Sequence, residues 1–257
     1  LEAAVQLATG LGAELRGLFV EDINLFRLAA LPMAREVHAF TAPAQSINTQ
    51  RLNQQLHRQA ETARRALERM GRQANVKHAF SVVRGEVAAK LLEAATDADL
   101  ITLGKASTAR SSRRKLGSTA RTIVQQATSS VLILHGGVSI RGPLMVYYDG
   151  TASADAALQW AATLAQQHAP HRLTVLLPAN EAKEVERLRD AVTKQYSHTV
   201  PGLRVRPLTQ AETKRLASVT TLQEQGLFVL PAEAHPLHDT NLQEFLYELD
   251  RPVLVVR

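Results

Sequence analysis

The residues of this chain best suited to chemistry lie between Gly104 and Ser118. Two residues separate Gly104 from Ser107, and nine more separate Ser107 from the Gly117-Ser118 step, with Thr119 opening the helix that follows. Arg110, Arg113, Arg114, Lys115 and Arg121 crowd the same stretch. Small residues let a backbone approach a ligand closely, and N–H groups delivered to a helix start are suited to holding a phosphate. Cations at a helix N-terminus oppose the helix dipole by about 0.3–1 kcal/mol per exposed group. A bound phosphate reverses that sign, so the stretch reads as an anion site, against the alternative of a basic loop without ligand.

Other candidates carry less. His168 and His171, and His235 and His238, are pairs three apart, but each has a proline within it and no third ligand at a useful spacing. They read as loop histidines. Ser118 lacks the G-x-S-x-G elbow of a nucleophile, and a helix cap accounts for it. Asp149 ends an apolar run, LMVYYD, as either a ligand contact or a turn residue. No base, nucleophile or metal constellation is present, so the expectation is a protein that is not an enzyme.

The elements that must position this stretch recur twice. LEAAVQLA at Leu1–Ala8 matches ADAALQWA, 153 residues later. ADLITLG at Ala98–Gly104 matches QGLFVLP, 127 residues later, and SVLIL matches PVLVV, 122 residues later. The order is the same in both halves, so the expectation is one fold written twice, over 1–137 and 143–257, joined by the glycine-rich HGGVSIRG. The changing offsets put an irregular insert at Asp22–Ser46, a lid or partner surface whose Ile23, Leu25, Phe26, Leu28 and Leu31 favour packing. They also shorten the second half's strand-to-helix turn by five residues. The second half opens with a strand, Leu144–Tyr148, that has no counterpart in the first, which suggests a segment before Leu1. Helical stripes alternate with apolar runs, among them a long helix near 47–73 and one at 211–225. Such alternation predicts parallel sheets covered on both faces. Trp160 falls on a stripe expected to be core.

Composition narrows the class. The 257 residues are 45% apolar and 21% charged, as in a soluble globular protein able to bury a core. No run of eighteen apolar residues could form a membrane helix, and the first residues lack the basic start of a leader. The absence of cysteine excludes disulfides and thiolate sites and is compatible with a cytoplasmic protein. The net charge is +6, but basic residues are interspersed with acidic ones and aromatics are only 4%, too few for base stacking. Nucleic acid and membrane are therefore not expected partners.

The loop G-x2-S-x9-G-S resembles the nucleotide loop of the universal stress protein family, G-x2-G-x9-G-[S/T], with Ser107 in place of the second glycine. YYDGTASADAALQWA, VVRGEVAAKLLEAA, ADLITLG, SSVLIL and RPVLVVR resemble that family's strands and turns, over both halves outside the insert. The resemblance implies an α/β fold of two tandem Rossmann-like domains with five-stranded parallel sheets, whose last strands pair about a pseudo-twofold axis. It implies ATP or another adenine nucleotide as cofactor. In the first half that assigns Val20 beside adenine, Gly85 near the ribose, and Gly104, Ser107, Arg114, Gly117, Ser118 and Thr119 to the phosphates. In the second half it assigns Asp149, but Pro231 stands for Gly104 and Asp239 for Gly117 in a shorter turn, where Thr240 and Gln243 have capping-box spacing. That second site reads as closed. The implied role is stress response, with a homo-oligomer or an intramolecular domain pair. The alternatives are a ligand-free dimerisation or docking module and a slow ATPase.

Overall fold

The computed structural model describes the chain except residues 32–34, 39–40, 47–48, 105–115, 135–139, 141, 168–171, 179–180, 218–225, 235–241 and 250. For 35–38, 41–46, 243, 244 and 247 it describes the backbone alone. Two compact units emerge, Leu1–Ala94 and Ala95–Arg257. The sequence repeat is divided near 135–142, whereas compactness divides at 94/95, because the last two strands of the first half share a sheet with the second half.

In the first unit, α1 (Glu2–Leu11) buries Ala3, Val5, Leu7 and Ala8. It ends at Gly12, whose left-handed φ of 61° lets the Ala13 N–H reach the Ala8 carbonyl at 2.9 Å. β1 (Leu15–Asp22) pairs in parallel with β4 (His78–Gly85) in a two-stranded sheet. The 25-residue α3 (Thr49–Gln73) crosses this pair, burying Leu56, Ala60, Leu67 and Gly71. Close approach explains two glycines. A Cβ on Gly71 would lie 2.5 Å from the His78 ring, and one on Gly17 2.7 Å from Phe80. α4 (Val87–Ala95) follows.

The insert is more regular than the sequence suggests. Asp22 accepts the Asn24 N–H at 2.9 Å and caps α2 (Ile23–Ala29). β2 (Arg35–His38) and β3 (Thr41–Ser46) then form an antiparallel hairpin. The expectation that its apolar residues pack needs correction for Leu25, Leu28 and Leu31, which are 40%, 48% and 56% exposed.

The second unit is built on a seven-stranded sheet ordered β5-β6-β11-β10-β7-β8-β9. Its strands are β5 (Leu100–Gly104), β6 (Ser130–Leu134), β7 (Leu144–Tyr147), β8 (Arg172–Leu177), β9 (Gly202–Pro207), β10 (Phe228–Pro231) and β11 (Val253–Val256). All neighbours are parallel except β6 and β11, which meet antiparallel with Leu132 opposite Leu254. The second half thus contributes five contiguous parallel strands. The first half's β1, β4, β5 and β6 divide two and two between sheets, so they form no five-stranded sheet. No strand lies between β1 and β5 to join the pairs.

The helices of this unit are α5 (Ser118–Gln126), α6 (Ala152–Gln167), α7 (Ala182–Tyr196), α8 (Gln210–Lys214) and α9 (Leu242–Glu248). Ala154, Ala157, Ala161 and Leu164 of α6 are buried, while Trp160 is half-buried rather than core. The small residues of α6 bring it close to the sheet, leaving the indole at the rim. α8 is shorter than the expected 211–225 helix, and 218–225 lie outside the described residues. At the β6–β11 seam the Arg257 guanidinium donates to the Val124 carbonyl in the last turn of α5, where a cation also complements the helix dipole.

Candidate functional site

Parallel strands in open α/β sheets present their carboxyl ends to ligands, and the predicted residues fall at such ends. In the first unit Val20 lies opposite Val83, and Asp22 opposite Gly85, at the ends of β1 and β4. The sequence reading missed what sits beside them. Arg84, directly across from Glu21, donates to its carboxylate at 2.8 Å and to Asn53 at 3.0 Å. Its guanidinium also lies 4.1 Å from the centre of the Phe26 ring, on α2. Arg27 extends this polar cover to Glu86 at 3.4 Å. The signal existed only as an acid and a base on two separated strands; it becomes a pair once register is known.

In the second unit Gly104 ends β5 opposite Leu134. It is exposed, and a Cβ there would meet nothing within 4 Å. Gly117 is the N-cap of α5, with extended φ −62° and ψ 154° and no side chain bonding the first turn. Ser118 is exposed and Thr119 half-buried, so the α5 start faces outward with its leading N–H groups uncapped by side chains. Ser107, Arg114 and the other basic residues from 110 to 115 lie outside the described residues, as do Asp239 and Thr240.

The corresponding turn of the second half, from β7 into α6, is closed by its own side chains. Asp149 Oδ1 accepts the Thr151 N–H at 3.1 Å and the Thr151 hydroxyl at 2.7 Å. Thr151 Oγ1 in turn accepts the Ala154 N–H at 3.2 Å. Gly150 has φ +81° and packs against Leu188, where a Cβ would come within 2.7 Å. Tyr148 donates to Asp155 at 2.9 Å. Burial first, then that bond, push its phenol up to about 12. The Tyr147 hydroxyl is buried without a partner, and burial with the nearby Asp149 carboxylate raises its phenol further. Nothing in the YYDG sequence distinguished these two tyrosines.

Val20 and Gly85 therefore belong to one compact unit, and Gly104, Gly117, Ser118, Thr119 and Asp149 to the other. Among the described residues no group of three or more His, Cys, Asp or Glu side chains could hold a metal. Among them, too, no helix is long and apolar enough to cross a membrane.

A glycine-flanked loop between a parallel strand and an uncapped helix defines an α/β protein with a ligand-facing strand end. The profile of the universal stress protein family matches residues 1–135, and the chain belongs to that family. The fold agrees. A universal stress protein from Archaeoglobus fulgidus DSM 4304 superposes with TM-score 0.69 at 14% identity, covering 100% of this chain and 90% of that one. A functionally unknown protein from Pseudomonas aeruginosa PAO1 gives TM-score 0.59 at 11% identity, covering 98% and 85%. No curated protein sequence matches the chain.

Proposed function

Membership of the family supports a stress-response role. We propose that the protein serves it as a regulator without catalysis, binding an adenine nucleotide, ATP foremost, through the 104–118 loop of its first half. The second half is its structural partner, a tandem domain with a closed site. The observation that carries this reading is the difference in capping. α5 begins at a glycine with no side-chain acceptor, whereas α6 begins behind Asp149 and Thr151, which occupy its turn. An uncapped helix start beneath a run of arginines lacks an anion. The tandem reading is supported by register. Ile101 pairs with Val131 and Phe228 with Val253, pairs related by the offsets of 127 and 122 residues read in the sequence.

Calorimetric and thermal-shift titration with ATP at low salt tests the proposal. Saturation a hundredfold above Kd adds about 2.7 kcal/mol of stability. No stabilisation at millimolar ATP replaces this reading with a ligand-free docking module, and metal-dependent phosphate release replaces it with a slow ATPase.

A further inference from the structure

The seven-stranded sheet has two edges of opposite character. β9, at one end, reads GLRVRP, with Arg204, Arg206 and Pro207. Charged residues and proline are the usual means by which an edge strand is kept from pairing. β5, at the other end, reads LITLG, with no charge, no proline and no bulge in its register with β6.

The strand equivalent to β5 by the 127-residue offset is β10, which is paired on both sides. All four residues of β10 are buried. In β5 only Ile101 is buried; Leu100, Thr102 and Leu103 are half-buried and Gly104 is exposed. Hydrogen bonds show which groups are involved. The Leu227 carbonyl accepts the Met145 N–H at 3.0 Å on the β7 side, and the Phe228 N–H donates to Pro252 at 3.0 Å on the β11 side. Direction alternates along a strand. The equivalent residues facing outward from β5 are therefore Leu100 and Thr102, while Ile101 and Leu103 face β6.

We propose that the free edge of β5 is a strand-binding site for an extended segment of a second polypeptide, running parallel to β5 and apolar on both faces like Leu144–Tyr147. Main-chain bonds to Leu100 and Thr102 supply affinity, and the half-buried Leu100, Thr102 and Leu103 supply the apolar contact, as in strand addition generally. The direction follows β10, whose equivalent edge takes β7 in parallel. Two copies of the chain meeting about a twofold axis would instead set β5 antiparallel to itself. Nucleotide binding is not required.

The probe is a synthetic peptide carrying residues 143–150 of this chain, PLMVYYDG, behind two lysines for solubility, titrated into the full chain by fluorescence anisotropy. Saturable binding is expected, with slower amide hydrogen exchange over residues 100–104. N-methylation of the peptide's methionine amide, the donor equivalent to Met145, is expected to weaken binding about tenfold. Thr102→Pro, which removes an outward N–H while leaving the β6 side paired, is expected to weaken it similarly. The peptide controls stand even if that variant fails to fold. Absence of binding, equal binding of the N-methylated peptide, or protection elsewhere than 100–104 overturns the proposal. So does a concentration-dependent dimer in sedimentation that the peptide displaces, which assigns the edge to a second copy.

Discussion

The first half of the chain matches the family profile, yet its strands are divided between two sheets. The second half keeps five contiguous parallel strands, yet the profile match ends at residue 135. The difference teaches that the two kinds of information are carried by different residues. The profile match falls on the half that bears Gly104 and Gly117-Ser118. A sheet needs only apolar runs of the right length, which PVLVV supplies without any ligand chemistry.

Equivalent core positions give the largest measurable contrast. Leu230 in β10 is fully buried, and Leu230→Ala is expected to cost about 2–5 kcal/mol. Leu103 in β5 is only half-buried, so Leu103→Ala should cost about half as much. Chemical denaturation of both variants checks this, and equal costs would erase the contrast between the strands.

Next comes the ligand contrast. Gly117→Asp places a carboxylate where the phosphate is proposed to bind and caps α5 at the same time. The expected result is unchanged or slightly higher stability without ligand and loss of the ATP-dependent rise in Tm. Retained ATP stabilisation moves the site elsewhere.

Tyr148 tests the closed turn. Its phenol sits above the ordinary tyrosine value, mainly through burial and then through Asp155. A raised folded pKa means the native state holds the proton more tightly. The stability it contributes is therefore complete below pH about 10 and lost as pH climbs from about 10 to about 12. Tyr148→Phe should flatten part of that alkaline limb while costing about 1–3 kcal/mol near neutrality. Alkaline unfolding curves that superimpose would refute the assignment.

The smallest effects concern two glycines. Gly150→Ala forces a side chain into φ +81° and against Leu188, costing about 1 kcal/mol or more. Gly104→Ala meets open space and should leave Tm within a degree or two. A differential scanning measurement of both separates a glycine kept for packing from one kept for access.

Much of the architecture was legible in the residues. The strands at SVLIL and PVLVV, the α3 stripe and the doubled order of elements all follow from apolar periodicity. Two features were not. The insert read as irregular because its α2 is only seven residues long and is started by a single Asp22 cap. The Arg84 cluster gathers Glu21, Asn53 and Phe26 from separate elements, which no local pattern announces.

By itself, the amino-acid order determined where apolar runs fall, where helices start and stop, and that one half carries a glycine loop while the other has lost it. These are local matters, settled by side-chain volume, backbone freedom and hydrogen-bonding groups within a few residues. Tertiary structure alone decided that β6 would meet β11 antiparallel, that β5 would keep a bare edge while β9 ends the sheet under arginines and proline, and that Asp149 would close its turn while Gly117 left α5 open. Those outcomes depend on which backbone groups find partners across distant segments, and pairing of that kind is a property of the assembled sheet.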